Sequence, residues 1–288
     1  MIEIRAAVRR ALAEDLQFGD VTTTALLPAA RCARGTIIPR QSIVLAGVAA
    51  AQAAFRAVDP AIKVVHALQD GSRVPKGRVV LQLAGDARSL LTAERVALNF
   101  LQHLSGIATF TARFCEAVRG YPTRILDTRK TTPGLRALEK WAVRLGGGVN
   151  HRHSLGDGIL IKDNHLALLQ DQGITLAEAC RRAREQGPHR LRLIVEVQSL
   201  KDVECALEGG AEVILLDNMT AGQVREAVAL IKGRAQIEVS GGVTLATARD
   251  LAAAGADFLS VGALTHSAPA ADLSMDIVAE GQARLRKK

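Results

Sequence analysis

Leu191-Arg192-Leu193-Ile194-Val195-Glu196-Val197-Gln198 is a short apolar run that stops on polar residues, and the chain repeats this phrase. It returns as Glu212-Val213-Ile214-Leu215-Leu216-Asp217-Asn218 and as Ala235-Gln236-Ile237-Glu238-Val239-Ser240-Gly241-Gly242. A further copy reads Asp257-Phe258-Leu259-Ser260-Val261-Gly262-Ala263. These runs have strand length and strand composition. Helical stretches separate them, at Ser199–Glu208, Ala221–Ile231 and Leu245–Ala254. Outward from this core, runs at Thr123–Leu126 and Gly158–Ile161 and a helix at Thr175–Gln186 extend the rhythm. Strand–helix alternation predicts parallel strands. The stopping residues Glu196, Asp217, Ser240 and Gly262 recur about every 22 residues, one β/α unit each, and so share one rim. Six strands fall short of a full barrel. The expected fold is therefore α/β, an atypical and incomplete barrel whose site lies on the C-terminal rim.

The rim residues carry the chemistry. Ile125-Leu126-Asp127-Thr128-Arg129-Lys130-Thr131-Thr132-Pro133-Gly134-Leu135-Arg136 leaves a strand-like run and stacks cations where the run stops. Gly146-Gly147-Gly148-Val149-Asn150-His151-Arg152-His153 and Leu160-Ile161-Lys162-Asp163-Asn164-His165 do the same. Arg129, Lys130, Arg136, Arg152 and Lys162 are too many like charges to gather without an anion between them, because they repel and are costly to desolvate. This is half of a site for a highly anionic small molecule. Ser240-Gly241-Gly242 and Val261-Gly262-Ala263 suit a phosphate, since backbone N–H groups without a Cβ approach its oxygens and a following helix offers its N-terminus. His266 and Ser267 stand one turn further on. Glu196 and Asp217 end neighbouring strands. They either bind Mg²⁺, directly or through water, or hold sugar hydroxyls, or simply neutralise nearby lysines.

Upstream, apolar positions Ile4, Val8, Leu12 and Leu16 mark a helix over residues 2–16, and Gly19-Asp20-Val21-Thr22-Thr23-Thr24 reads as a polar turn. Short β-type runs follow at Thr36–Ile38, Ile43–Leu45, Ile62–Val65 and Val79–Leu81, interrupted by a helix over Val48–Val58. A long helix spans Ser89–Arg119 until Gly120-Tyr121-Pro122 breaks it. The organisation expected is an N-terminal α+β sandwich domain over 1–112, a barrel domain over 113–267, and a segment over 268–288. Within that last segment, Leu273-Ser274-Met275-Asp276-Ile277 returns to the first domain.

Composition narrows the partners. The chain of 288 residues carries a net charge of +8, yet aromatics are only 3%, too few for stacking single-stranded nucleic acid. An anionic substrate explains the charge more economically than nucleic acid does. The four cysteines (Cys32, Cys115, Cys180, Cys205) show no zinc spacing, and no apolar run approaches membrane-spanning length. Met1-Ile2-Glu3-Ile4-Arg5 is unlike a secretory signal, so a cytoplasmic location is expected. No serine or cysteine nucleophile with a base is evident, which favours a reaction driven by positioning and electrostatics.

These motifs, with Ala11–Leu16, Glu94–Asn99, Leu104–Thr109 and Val261–His266, resemble the quinolinate phosphoribosyltransferase family over nearly the whole chain. The resemblance implies a two-domain subunit working as a homodimer, with a hexamer of dimers as the larger alternative. It implies that Arg95 of the partner subunit completes each site. It assigns quinolinate to Arg129, Arg152 and Lys162, with His151 beside them. Thr128 and Lys130 would meet 5-phosphoribosyl 1-pyrophosphate, and Glu196 and Asp217 its ribose hydroxyls and Mg²⁺. Gly241, Gly242, Gly262 and His266 would hold its 5′-phosphate, and Ser240, Val261 and Ala263 belong to the same substrate's binding set. Lys130, Lys162, Glu196 and Asp217 form the implied catalytic set. Two positions depart from the family pattern: Leu145 stands where a cysteine is common, and His153 where a leucine is often seen. The rivals are a paralogue of the same fold with another acceptor, of the molybdenum-transport-associated type, and a phosphate-binding barrel lyase using a lysine Schiff base. Losing a cation of the set would favour the first, but Arg95, Arg129, Arg152 and Lys162 are all present.

Overall fold

The computed structural model describes residues 2–280. Helix α1 (Ile2–Asp15) buries Ala7, Val8 and Leu12, the predicted stripe, and packs on α3 (Val48–Val58). Between them come α2 (Val21–Leu26), β1 (Cys32–Pro39) and β2 (Ile43–Val44). The expected polar turn at 19–24 is corrected here, because most of it is α2. Asp20 makes that helix possible by accepting the Thr23 N–H at 2.9 Å, and Thr92 Oγ donates to its other oxygen at 3.0 Å. β3 (Lys63–Ala67), β4 (Arg73–Val74), β5 (Leu81–Asp86) and the 31-residue α4 (Ala87–Ala117) follow. α3 receives its N-terminal partner from far along the chain, since Asp70 accepts the Val48 N–H at 3.0 Å.

The remaining elements are β6 (Arg124–Leu126), α5 (Arg136–Leu145), β7 (Ile159–Ile161), α6 (Asp163–Gln170), α7 (Leu176–Gln186), β8 (Leu193–Val197) and α8 (Leu200–Glu208). After these come β9 (Val213–Asp217), α9 (Ala221–Ile231), β10 (Gln236–Ser240), α10 (Ala248–Ala253), β11 (Phe258–Ser260), α11 (Ala263–His266) and β12 (Leu273–Ala279).

The chain forms two compact units. Of the described residues, the first comprises 2–112, 131–146 and 267–280, and the second 113–130 with 147–266. The passage 131–146, placed by the sequence reading in the second domain, thus packs with the first. Glu139 on α5 explains why. Its fully buried carboxylate lies 2.8 Å from His103 Nε2 on α4 and accepts the Thr132 N–H at 3.1 Å. A carboxylate buried this deeply requires such partners.

In the first unit a four-stranded antiparallel sheet runs β12-β1-β5-β3. The predicted return of Leu273–Ile277 is realised as β12, whose Met275 pairs with Ile37. Gly35 of β1 permits it, since a Cβ there would stand 2.1 Å from Met275 Cε.

The second unit holds a six-stranded, all-parallel sheet in the order β6-β11-β10-β9-β8-β7. Val149 continues pairing beyond the β6 edge, with its N–H donating to Ile125 O at 2.8 Å. Alternation along each strand separates two faces. Leu193, Val195 and Val197 are buried on one face, while Ile194 and Glu196 of β8 point to the other. Register carries that second face across the sheet, because Glu196 opposes Leu215, Leu215 opposes Glu238, and Asp217 opposes Ser240. The incomplete α/β barrel therefore has a polar inner face. A cavity of about 340 Å³ lies against it, lined by Ile194, Val213, Glu238, Phe258, His151 and Arg152 among others. No helix among the described residues is long and apolar enough to cross a membrane.

Candidate active site

Of the predicted site residues, Arg95, Arg136 and Ser267 belong to the first unit and the others to the second. Asp127, fully buried where β6 ends, fixes the segment after Val149 by accepting the His151 N–H at 2.8 Å and the Asn150 amide at 2.6 Å. That places Arg152 near Arg129. Burial pushes the Arg152 guanidinium below its ordinary pKa, and the neighbouring Arg129 charge pushes it further. Two guanidiniums held this way form a receptor for carboxylates. Arg152 also donates to Gly158 O at 3.2 Å.

Lys162, just past β7, reaches Glu196 on β8, with Nζ 2.7 Å from Oε2. Its N–H donates to His165 Nδ1 at 3.0 Å. Asp217 ends β9 on the same face, and the next residue, Asn218, adopts a left-handed conformation with φ 57°. Asn218 donates from its side chain to Asp217 at 2.8 Å and from its backbone to Ser240 O at 2.9 Å. Gly241 (φ +82°) and Gly242 (φ +62°) then turn the chain through backbone space that suits glycine. A Cβ on Gly241 would stand 2.2 Å from Asn218 Oδ1, whereas Gly242 faces open space. The carboxylate of Asp217 and the glycine loop are thereby locked together.

At the edge of the sheet, Gly262 lies between Lys130 and His266, since a Cβ there would meet Lys130 Cδ and His266 Nε2, each at 3.1 Å. Thr265 Oγ–H donates to Lys130 O at 2.7 Å, tying the cationic loop to α11. Lys130 N–H in turn donates to Thr128 Oγ at 3.0 Å. The helix after Gly242 starts only at Ala248, so no helix N-terminus follows that loop directly, whereas the single turn α11 begins right after Gly262. Ser240 and Ala263 are partly exposed beside these glycines, and Val261 is buried. Among the described residues no group of three or more His, Cys, Asp or Glu side chains is placed to hold a metal by itself.

Arg95 is exposed on α4 of the first unit. Arg136 belongs to α5 and donates to Thr131 Oγ at 3.0 Å. His153 is exposed, with its N–H held by Asp157 at 2.8 Å. The sequence pattern marks Asn218 as a rim residue but gives it no role, and it passes over Glu238. The second left a signal, a carboxylate at an alternate position inside the apolar run Ile237-Glu238-Val239.

Comparison with known proteins decides the family. Residues 20–105 match the quinolinate phosphoribosyl transferase N-terminal domain, and residues 107–276 match its C-terminal domain. The chain belongs to the quinolinate phosphoribosyltransferase family. Within it, the chain is 45% identical to the nicotinate-nucleotide pyrophosphorylase [carboxylating] of Mycobacterium leprae, covering 95% of this chain and 96% of that one. It is 37% identical to the probable nicotinate-nucleotide pyrophosphorylase [carboxylating] of Bacillus subtilis, over 96% and 94% of the two chains. The solved structure of NadC from Streptococcus pyogenes superposes with a TM-score of 0.91 at 41% identity, covering 96% and 97%. The two-unit architecture is thus that of quinolinate phosphoribosyltransferases.

Proposed function

We propose that this chain transfers phosphoribose from 5-phosphoribosyl 1-pyrophosphate to quinolinate. The products are nicotinate mononucleotide, pyrophosphate and CO₂, in the biosynthesis of NAD. The observation that carries this reading is the closeness of Arg129 to Arg152, whose partly buried guanidinium has its pKa pushed down by burial and by the Arg129 charge, a concentration of positive charge that suits a dicarboxylate.

In this reading Arg129 and Arg152 bind the two ring carboxylates, and Lys162 adds a third cation at the rim. The ring nitrogen is thereby aimed at the anomeric carbon. Gly241, Gly242 and Gly262 present N–H groups to the 5′-phosphate, and Lys130 and His266 flank it. Glu196 and Asp217 hold the ribose hydroxyls from one face of the sheet. The C1′–O bond to pyrophosphate breaks, and the pyridine nitrogen lone pair forms the new bond. The resulting cationic ring accepts the electron pair released when the adjacent carboxylate leaves as CO₂, and a proton completes that carbon. The chain's own contribution is alignment and charge stabilisation.

The donor chemistry of Glu196 and Asp217 fits Mg²⁺, which takes one or two carboxylates and completes its shell with water and substrate phosphates. Bound there, it would supply charge neutralisation for the pyrophosphate. The exposed Arg95 supports a homodimer in which Arg95 of the partner subunit reaches the dicarboxylate. Exposed Ile2, Phe18, Val21 and Leu26 on the first unit offer apolar surface to a second copy.

The deciding assay supplies quinolinate, 5-phosphoribosyl 1-pyrophosphate and Mg²⁺, with nicotinate as a parallel acceptor. Nicotinate mononucleotide and CO₂ are expected from quinolinate alone. Product from nicotinate, or from neither acceptor, overturns the assignment. Mixing Arg95→Ala chains with Lys162→Ala chains is expected to restore part of the activity, and no recovery after subunit exchange removes Arg95 from the shared site.

A further inference from the structure

Glu238 has no part in the transfer described above, yet it is buried to 2% exposure in the middle of β10. It points to the inner face of the sheet, where the cavity leaves open space beside it. A carboxylate in that position requires compensating partners. Two are present: Ser260 Oγ–H donates to Oε1, and His151 Nε2 lies 3.3 Å from the same oxygen.

The other ring nitrogen is committed as well, because His151 Nδ1 accepts the Arg152 N–H at 2.7 Å. A ring nitrogen that accepts carries no proton, so the neutral ring bears its hydrogen on Nε2, aimed at Glu238. The segment is then gripped from two sides. Asp127 holds the His151 backbone, and Glu238 holds its ring. Between these two grips sits the peptide that carries the Arg152 guanidinium.

We propose that Glu238 is a positioning residue for quinolinate recognition. It fixes the tautomer and rotation of His151, and through Nδ1 it sets the Arg152 main chain beside Arg129. Ser260 orients the Glu238 carboxylate. This rests on the reading that Arg129 and Arg152 bind the dicarboxylate. It assigns acceptor binding, and not phosphoribose binding, to a group that acts through His151.

The test combines two measurements on the full chain. Long-range ¹⁵N–¹H NMR of the substrate-free protein, with His151→Asn for assignment, reads the tautomer. The Nε2–H form is expected in the wild type and in Glu238→Gln, whose amide oxygen still accepts. Steady-state kinetics then compare Glu238→Ala with Glu238→Gln. The alanine variant is expected to raise KM for quinolinate at least about tenfold while KM for 5-phosphoribosyl 1-pyrophosphate stays within about twofold. The glutamine variant is expected to recover most of that loss.

An Nδ1–H tautomer in the wild type overturns the proposal, and that measurement needs no variant to fold. An unchanged quinolinate KM in Glu238→Ala, or an equal rise for both substrates, also overturns it. Arg152→Ala separates the two readings. If that variant keeps its quinolinate KM, the dicarboxylate assignment falls and takes the kinetic half of the proposal with it, whereas the tautomer stands or falls alone.

Discussion

Lys162 Nζ lies 2.7 Å from Glu196 Oε2, so one of the implied quinolinate cations is already paired with one of the implied ribose carboxylates. The lysine side chain is 43% exposed, which limits what the pair adds to stability. Lys162→Met is therefore expected to change unfolding free energy by less than about 1 kcal/mol. Its kcat/KM is expected to fall at least about a hundredfold, because the cation is needed against a charged substrate. Urea denaturation beside steady-state kinetics checks both halves, and a large stability loss would recast the lysine as structural.

The glycine rim makes a graded prediction. Gly241→Ala places a Cβ against Asn218 and is expected to dislodge both Asn218 and Asp217, abolishing turnover. Gly262→Ala meets only side-chain atoms of Lys130 and His266, the nearest at 3.1 Å, so a severalfold rise in KM for 5-phosphoribosyl 1-pyrophosphate is expected with the fold intact. Equal effects in the two variants would contradict the geometry.

Glu139→Ala strips His103 and the Thr132 N–H of a fully buried partner. Losing that acceptor is expected to cost about 1–3 kcal/mol, since His103 is a third exposed and Thr132 lies at the surface. Chemical denaturation should show that loss, and a change under about 1 kcal/mol would mean that the loop finds another anchor.

Asp70 gives a pH signature. Burial, the largest influence, raises its pKa despite hydrogen bonds from the Val48, Ala49 and Gly47 N–H groups. The folded chain then binds that proton more tightly than the unfolded chain. The contribution to stability is full below the unfolded value and is lost as pH rises through the folded one. Asp70→Asn keeps an acceptor oxygen and does not titrate, so its stability relative to wild type should increase between about pH 3 and pH 7. A difference that stays flat with pH would sink this.

The Cys180 thiol is buried, and burial pushes its pKa up to about 11. Near pH 8 only about 0.1% of it is thiolate. In native alkylation followed by mass spectrometry, the exposed Cys32 should label well before Cys180.

What could be read from the sequence followed local periodicity. The run Leu193–Val197 announced a strand because its outward side chains are apolar, and Glu196 announced the rim because it interrupts them. Helix Val48–Val58 was legible to the residue. Capping was harder to see: Asp20 turned an expected turn into α2 through a single side-chain bond. Pairings between distant residues left no periodic trace. Glu139 with His103, and Glu238 with His151, join positions whose separation in sequence carries no period, so the packing of 131–146 with the first unit could not be read and Glu238 passed as part of an apolar run.

The pairing of β1 with β12 has a consequence for how the chain is made. Thr36 meets Asp276 only after about 240 further residues have been synthesised, on the order of tens of seconds at ordinary ribosome speed. Until then β1 has β5 on one side and an unsatisfied edge on the other, a template for pairing with foreign strands. Premature termination anywhere before Leu273 would leave that edge bare for good. β12 thus seals the first sheet only after the whole parallel-sheet unit has been translated.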